Sequence, residues 1–445
     1  LATVVDLSDD GSPMQPASID APQRVLSIDV LRGLTIAFMI LVNDPGDWAH
    51  VYAQLDHAPW NGFTCTDFVF PSFLFLVGAS IVLSLQSRIA RGASKRTLAL
   101  HIARRAALLF AIKMFLTAFP HFHWTRLRLY GVLTRIALCY LIAGLIYLCT
   151  LRARTLLAIT AALLLTYWAL MRFVPVPGLG FASLRDAIPT HGIPILDPDR
   201  NLAAWLDRVV NAFTQRWLHT GRLYETTRDP EGLLSTLPAI ATTLLGAVTA
   251  LWLRRVAKNT STPNPFTPNP RHSERSSESQ YLPQRATTIT PAKCLTGLIL
   301  TGAASLTAGL LWNQTFPINK NLWTSSYVLY AAGWSLLLLA LLYYLLDMRR
   351  IHETGPGKAL LFPWLVFGSN AIFAFVFSNF IVELMIWIKV PASPRPISAW
   401  LWTYTHLFAR THSNDHTSLA FALAFVAFCF LPTWLLYRKR IFLKI

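Results

Sequence analysis

Charge is scarce in this sequence. Only 14% of its 445 residues are Asp, Glu, Lys or Arg, against about 25% in ordinary water-soluble domains. Alongside 54% hydrophobic side chains and a mean hydropathy of +0.44, that density excludes a fold bathed by water on all sides. Acidic groups are the scarcer kind, 22 against 39 basic ones, for a net charge of +17. The excess does not read as a nucleic-acid surface, because it falls in short clusters between apolar runs and no nucleic-acid motif accompanies it. Cysteine is scarce too. The five present (Cys65, Cys139, Cys149, Cys294, Cys429) are odd in number and lie mostly inside apolar runs. They form neither a disulfide framework nor a metal-ligand spacing, so no metal is expected. No secretory pattern opens the sequence as given.

The apolar runs are long enough to cross a hydrocarbon layer of about 30 Å, which takes roughly 20 helical residues. Ten such runs can be marked, at 27–43, 68–87, 100–118, 131–150, 155–173, 233–254, 294–312, 323–346, 361–388 and 416–437. Basic clusters follow every second run: Arg88 to Arg96, Arg152 and Arg154, Arg254 to Lys258, Arg349 to Lys358, and Arg438 to Lys444. Basic loops face the cytoplasm. The expectation is therefore an all-α polytopic membrane bundle of about ten transmembrane helices with both termini cytoplasmic. Residues 1–23 read as a disordered extension. Residues 24–258 carry spans 1–6, with outer-face loops at 44–67 and 174–232. The Ser-, Thr- and Pro-rich stretch 259–292, with TPNP twice, reads as a disordered cytoplasmic linker. Residues 293–445 carry spans 7–10 and a basic tail.

Ionisable groups inside a bilayer are costly, so each needs a partner or a task. Asp29 and Arg32 are one helical turn apart and can pair. Lys113 and Arg135 have no carboxylate within a turn, and are read as lying near the middle of the membrane or facing a wet cavity. Three like charges, Arg32, Lys113 and Arg135, suit either structural pairing or a polyanionic ligand. Asn370 and Asn379 suit hydrogen bonds between helices.

The loop after the first run, VNDPGDWAHVYAQLDHAPWNGFTCTDF, is polar and aromatic and contains no Lys or Arg. It is expected to fold back on the bundle mouth, with Thr66 as N-cap of the second span and Asp67 in its first turn. A lone loop histidine such as His57 is usually only solvated.

The longer run SIDVLRGLTIAFMILVNDPGDW…HAPWNGFTCTDFVFPSFLFLVG resembles the heparan-α-glucosaminide N-acetyltransferase family of membrane acyltransferases. DPEGLLSTLPAIATTLLG (229–246), PINKNLWTSSYVL (317–329) and FPWLVFGSNAIFAFV (362–376) extend the resemblance over most of 24–440. It implies acetyl-CoA as cytoplasmic donor and the amine of a glucosamine as acceptor on the other side. It also implies a catalytic histidine, here His57, and a site asparagine, here Asn43. An amine must lose a proton to act as nucleophile, and an imidazole, ordinarily titrating near 6.5, can take it. Asn43 would donate to the developing oxyanion, and an acetyl-imidazole intermediate is the rival mechanism. Asp67 is expected to orient the imidazole. Trp60 is expected to stack on a sugar, Asp229 and Glu231 to bind its ammonium, and Lys320 to meet an acidic group. The implied partners are acetyl-CoA, an amino-sugar or glycan acceptor, the lipid bilayer and a second copy of the chain in a homodimer, without nucleic acid. The implied site is a bacterial inner membrane. A glycan O-acyltransferase and a solute transporter are the competing readings.

Overall fold

The computed structural model describes residues 25–177, 196–257, 290–393 and 395–443. Residues 1–23, and 259–292 up to residue 289, lie outside the described residues; Thr290 caps a helix and 291–292 open it. The elements in chain order are α1 (Leu26–Asn43), α2 (Cys65–Ala90), α3 (Lys95–Ala118), α4 (Val132–Cys149), α5 (Ala153–Phe173), α6 (Leu202–Leu218) and α7 (Thr236–Ala257). After the gap come α8 (Pro291–Asn313), α9 (Ser325–Leu342) with a π-helical turn at Tyr343–Met348, α10 (Gly355–Ser369) and α11 (Ala371–Trp387). A two-stranded antiparallel hairpin, β1 (Lys389–Val390) and β2 (Ile397–Ser398), leads into the short α12 (Ala399–Thr403) and the long α13 (Asp415–Arg438). The fold is all-α, as expected for a polytopic membrane protein.

The count of spans differs from the ten expected. Among the described residues eight helices are long and apolar enough to cross a membrane, and nine if a bent pair counts as one span. The bent pair is α10 and α11, which meet at 78° where 361–388 was read as one run. Asn370 sits at the bend. Its side chain donates to Ile441 O (3.1 Å) and accepts from Leu443 N (2.9 Å), tying down the segment after α13. Among the described residues Asn379 bonds only within its own helix, its side chain donating to Phe375 O. The run at 100–118 is indeed a helix, α3, of 24 residues. Lys95, Arg96, Arg104, Arg105 and Lys113 keep it from being as apolar as the others.

The centre of the bundle is α2 against α7 and α1 against α10. Both contacts are backbone-close. A Cβ on Gly78 would meet Thr243 O at 1.7 Å, and one on Gly246 would meet Phe75 O at 1.7 Å. Gly33 and Gly368 play the same part between α1 and α10. Lipid tails are as apolar as leucine, so membrane helices associate by such close van der Waals approach. The peripheral helices bury far less: 72% of the α2 window lies inside the protein, but only 22% of the α8 window. Helix ends are closed from a distance. No side chain of its own caps α1. Instead Asp347 accepts from Leu26 N (3.1 Å) and Ser27 N (3.2 Å), satisfying orphan amides and the positive end of the helix dipole.

Candidate active site

The α1–α2 loop folds back on the bundle, as its composition suggested. Gly62 N donates to Ile318 O (2.9 Å), Asn319 Nδ2 donates to Asn61 Oδ1 (3.1 Å), and Trp60 Nε1 donates to Leu196 O (2.7 Å). The N-cap of α2 is Thr64, two residues earlier than the expected Thr66. Thr64 Oγ1 accepts from Asp67 N (3.3 Å) and the Asp67 carboxylate accepts from Thr64 N (3.1 Å), a capping box. The box needs an acceptor at the third helical position. Asp67 supplies it, whereas a cap at Thr66 would have left Asp67 without that role. Tyr327 of α9 donates to Asp67 O at 2.6 Å, so the first turn of α2 is also fixed from across the bundle.

That rigid turn holds His57. The side chain of Asp67 is 1% exposed and that of His57 is 40% exposed. Asp67 Oδ1 lies 2.7 Å from His57 Nδ1, while Oδ2 accepts from Ala58 N (3.1 Å) and Thr64 N. A carboxylate only accepts, so Nδ1 carries the proton and the lone pair stands on Nε2. Lys320 Nζ lies 3.3 Å from that Nε2. Burial depresses the Lys320 ammonium below the usual lysine range, and the charges of Glu231 and Asp67 pull it back.

Behind Lys320 lies a buried charge cluster. Arg128 donates Nε to Asp229 Oδ2 (2.8 Å), Nη2 to Asp229 Oδ1 (2.6 Å) and Nη2 to Glu231 Oε2 (2.5 Å). The side chains of Asp229 and Glu231 are 0% and 8% exposed. Burial works against the Arg128 charge, but Asp229 and Glu231 outweigh it and hold Arg128 protonated beyond the ordinary arginine range. Burial likewise raises Glu231, and Arg128, Lys320 and Arg135 bring it below the usual carboxylate range. Arg135 is 1% exposed. It donates to Gly232 O and Ser235 Oγ and lies over the Trp323 ring. Its Nε and Nη1 are buried without an acceptor among the described residues.

The residues singled out in the sequence thus fall into three places. His57, Asp67, Lys320, Glu231, Asp229 and Arg135 belong to one end of the bundle. Lys113 belongs there as well, near the end of α3 rather than at mid-membrane, its ammonium on Thr117 Oγ1. Trp60 is in the same loop as His57, with Arg228 over its ring at 5.0 Å. Arg32 is held apart from all of these, on Asp29 Oδ1 (2.5 Å) and Gly368 O (2.7 Å). Asn43 is exposed at the end of α1, and its side chain makes no hydrogen bond to His57 or to any other described residue. Arg128 and Asn319 escaped the sequence reading. The signal for Arg128 was available: RLRLY places two arginines in a loop assigned to the outer face, where positive charge is under-represented.

A family model described as "Heparan-alpha-glucosaminide N-acetyltransferase, catalytic" matches residues 24–274, more than half of the chain and all of α1 through α7. The chain belongs to that family. Heparan-alpha-glucosaminide N-acetyltransferase from Homo sapiens is 27% identical over 388 residues, 80% of this chain and 52% of the relative. The Mus musculus protein of the same name is 28% identical over 387 residues, 79% of this chain and 53% of the relative. The chain spans about half the length of the curated relatives it matches. The acetyltransferase-family match takes in His57, Asp67, Arg128, Asp229 and Glu231. Lys320 lies beyond the matched segment, so the pairing of His57 with Lys320 joins the two parts of the chain.

Proposed function

We propose that this chain is a membrane N-acetyltransferase. It moves an acetyl group from acetyl-CoA, arriving at the basic-loop end of the bundle, to the amine of a glucosamine-type sugar or glycan at the His57 end. The positive-inside rule makes the former end cytoplasmic, and the proposed location is a bacterial inner membrane. The observation that carries the proposal is the alignment Asp67–His57–Lys320, which leaves a half-exposed, oriented imidazole with its lone pair facing Lys320. Lys320 donates to that lone pair until an acceptor amine takes its place. As the sugar nitrogen bonds to the acetyl carbon, its proton passes to His57 Nε2. The carbon–sulfur bond breaks, and the proton returns to the leaving sulfur. Asp67 keeps the imidazole in the reactive tautomer and stabilises its charged form, the division of labour of a base and its orienting carboxylate. Such a base is worth roughly 10²–10⁴-fold.

Asn43 has its amide free to donate to the carbonyl oxygen as charge develops there. Arg135, with two unmatched nitrogens, suits an anionic group better than Lys113, which Thr117 engages. Arg32 stands at the opposite end, where the phosphates of acetyl-CoA would enter. Trp60 offers a ring for the sugar. Both Asp229 oxygens and Glu231 Oε2 accept from Arg128, so they shape the site through that arginine.

The test is transfer of ¹⁴C-acetyl from acetyl-CoA in proteoliposomes. Label should pass to glucosamine but not to its amine-blocked analogue, and His57→Ala should abolish the transfer. Label on the blocked analogue would make the chain an O-acyltransferase. Solute uptake without transfer would make it a transporter. Label held by the protein when acceptor is omitted would replace direct attack by an acetyl-imidazole.

A further inference from the structure

Outside this site, α3, α4 and α6 enclose a cavity of about 620 Å³, open mouth included. Its walls are almost wholly apolar. Phe110 lies eight residues before the end of α3, and Leu138 lies six residues after the start of α4. At 1.5 Å per residue they stand about 9 to 12 Å below the helix ends. Asn211 and Thr214 of α6 and Arg222 complete the lining. Arg222 is exposed and makes no hydrogen bond or ion pair with any described residue. Tyr130 also lines the cavity, and its hydroxyl is buried with no partner among the described residues.

The cavity is continuous with the lipid-facing surface. Phe110 is itself 41% exposed on the flank of α3. The helix that roofs the cavity, α6, shows an apolar stripe at helical spacing on its outer side: Val209, Phe213 and Trp217 are 44%, 58% and 64% exposed. An amphipathic helix with aromatic residues on one side and arginines beside them lies in a membrane interface.

We infer that this cavity is a phospholipid site, which takes one hydrocarbon chain against Phe110 and Leu138 and an anionic phosphate against Arg222, with α6 lying in the interface above it. The occupant is a lipid of the surrounding bilayer. The charge of Arg222 selects an anionic headgroup over a zwitterionic one, and the depth of the apolar wall suits an acyl chain. Bound there, the lipid abuts the strand of loop that carries Arg128, two residues before Tyr130, and so braces the charge cluster from the membrane side.

Native mass spectrometry of the full chain, released from nanodiscs of equimolar phosphatidylglycerol and phosphatidylcholine, tests this without an activity assay. The wild type should retain one phosphatidylglycerol in preference to phosphatidylcholine. Arg222→Gln, a change at an exposed side chain, should lower that preference at least threefold. Leu138→Trp, which fills the cavity, should lower retention of either lipid, with monodispersity on size exclusion checking its fold. If Leu138→Trp misfolds, Leu138→Phe serves the same end. Unchanged retention in both variants overturns the site. Loss of the preference in Arg222→Gln with full retention in the filled variant reduces it to a surface phosphate contact and also overturns it. A retained mass matching a polyisoprenyl saccharide instead of a phospholipid overturns the occupant.

Discussion

The two ends of the bundle spend their charges differently. At one end Arg32 meets Asp29, three residues away on the same helix, with side chains 24% and 29% exposed. At the other end Arg128 meets Asp229 and Glu231 across 101 and 103 residues, deep inside the protein, and His57 meets Lys320 across 263. A local pair forms as soon as its helix forms and is worth a few tenths of a kcal/mol. A distant buried cluster exists only when several elements have docked. It then costs several kcal/mol to leave incomplete, because the remaining charges have no water to turn to. The first kind of pair seals a helix end. The second fixes the relative positions of α2, α4, α7 and the loop before α9, the elements that any chemistry at His57 requires.

If the distant cluster is the working end, the largest effect should come from its imidazole. His57→Ala should lower acetyl transfer by about 10²–10⁴-fold with thermal melting in detergent unchanged, since His57 is half exposed. Asp67→Asn should also lower transfer, because an amide can present its N–H to Nδ1 and turn the imidazole to the other tautomer. Asp67 additionally closes the α2 cap, so this variant should melt lower by about 1 kcal/mol. Transfer rates in His57→Ala close to wild type would remove the histidine from the mechanism.

Next is the stability of the cluster. Arg128→Gln leaves Asp229 and Glu231 facing each other, at a cost of about 3 kcal/mol, the low end for a broken buried pair because the Arg128 side chain is 20% exposed. Adding Asp229→Asn should recover part of the loss. A melt as stable as wild type in Arg128→Gln alone would mean the carboxylates are not both charged.

A neighbouring carboxylate makes the same end sensitive to pH. Asp207 of α6 accepts from Leu233 N (3.1 Å) and Asp229 N (3.3 Å). Burial pushes its carboxyl up to about 7, with Asp229 adding to the push. A folded-state value above the unfolded 3.8 means that folding favours the protonated form. The contribution is therefore complete below about pH 4 and is lost as pH rises towards 7. Asp207→Asn should flatten the fall in melting temperature over that range. A wild-type melt that does not decline between pH 4 and 7, after allowance for other groups, would contradict it.

How much of this was legible in the sequence follows the same division. The apolar runs, the Asp29–Arg32 pair and the turn-rich loop around His57 are local patterns, and they point to the right elements except at 361–388, where one run is two helices meeting at a bend. The Gly78 and Gly246 contacts, the bend at Asn370 and the capture of α1 by Asp347 depend on residues far apart in the chain. No periodicity reports them. Asp67 is legible as an acid in a first turn, and the choice of Thr64 over Thr66 as cap is legible too, since only Thr64 stands three residues before an acceptor that can close a capping box. Lys113 and Arg135 were legible as misplaced charges. Their companion Arg128 was not read, although an arginine in an outer-face loop is misplaced in its own way.

The smallest effect should come from the local pair, and it tests whether that end is only structural. Arg32→Gln removes the bond to Asp29 while a neutral amide can still reach Gly368 O. With both side chains about a quarter exposed, the loss should stay within about 1 kcal/mol. If Arg32 also meets the phosphates of acetyl-CoA, the Michaelis constant for that donor should rise several-fold in Arg32→Gln, while the constant for glucosamine and the maximal rate hold steady. A variant that melts slightly lower with both constants unchanged would leave Arg32 as a helix-end clasp. The contrast between the two ends would then be complete, with one built for assembly and the other for chemistry.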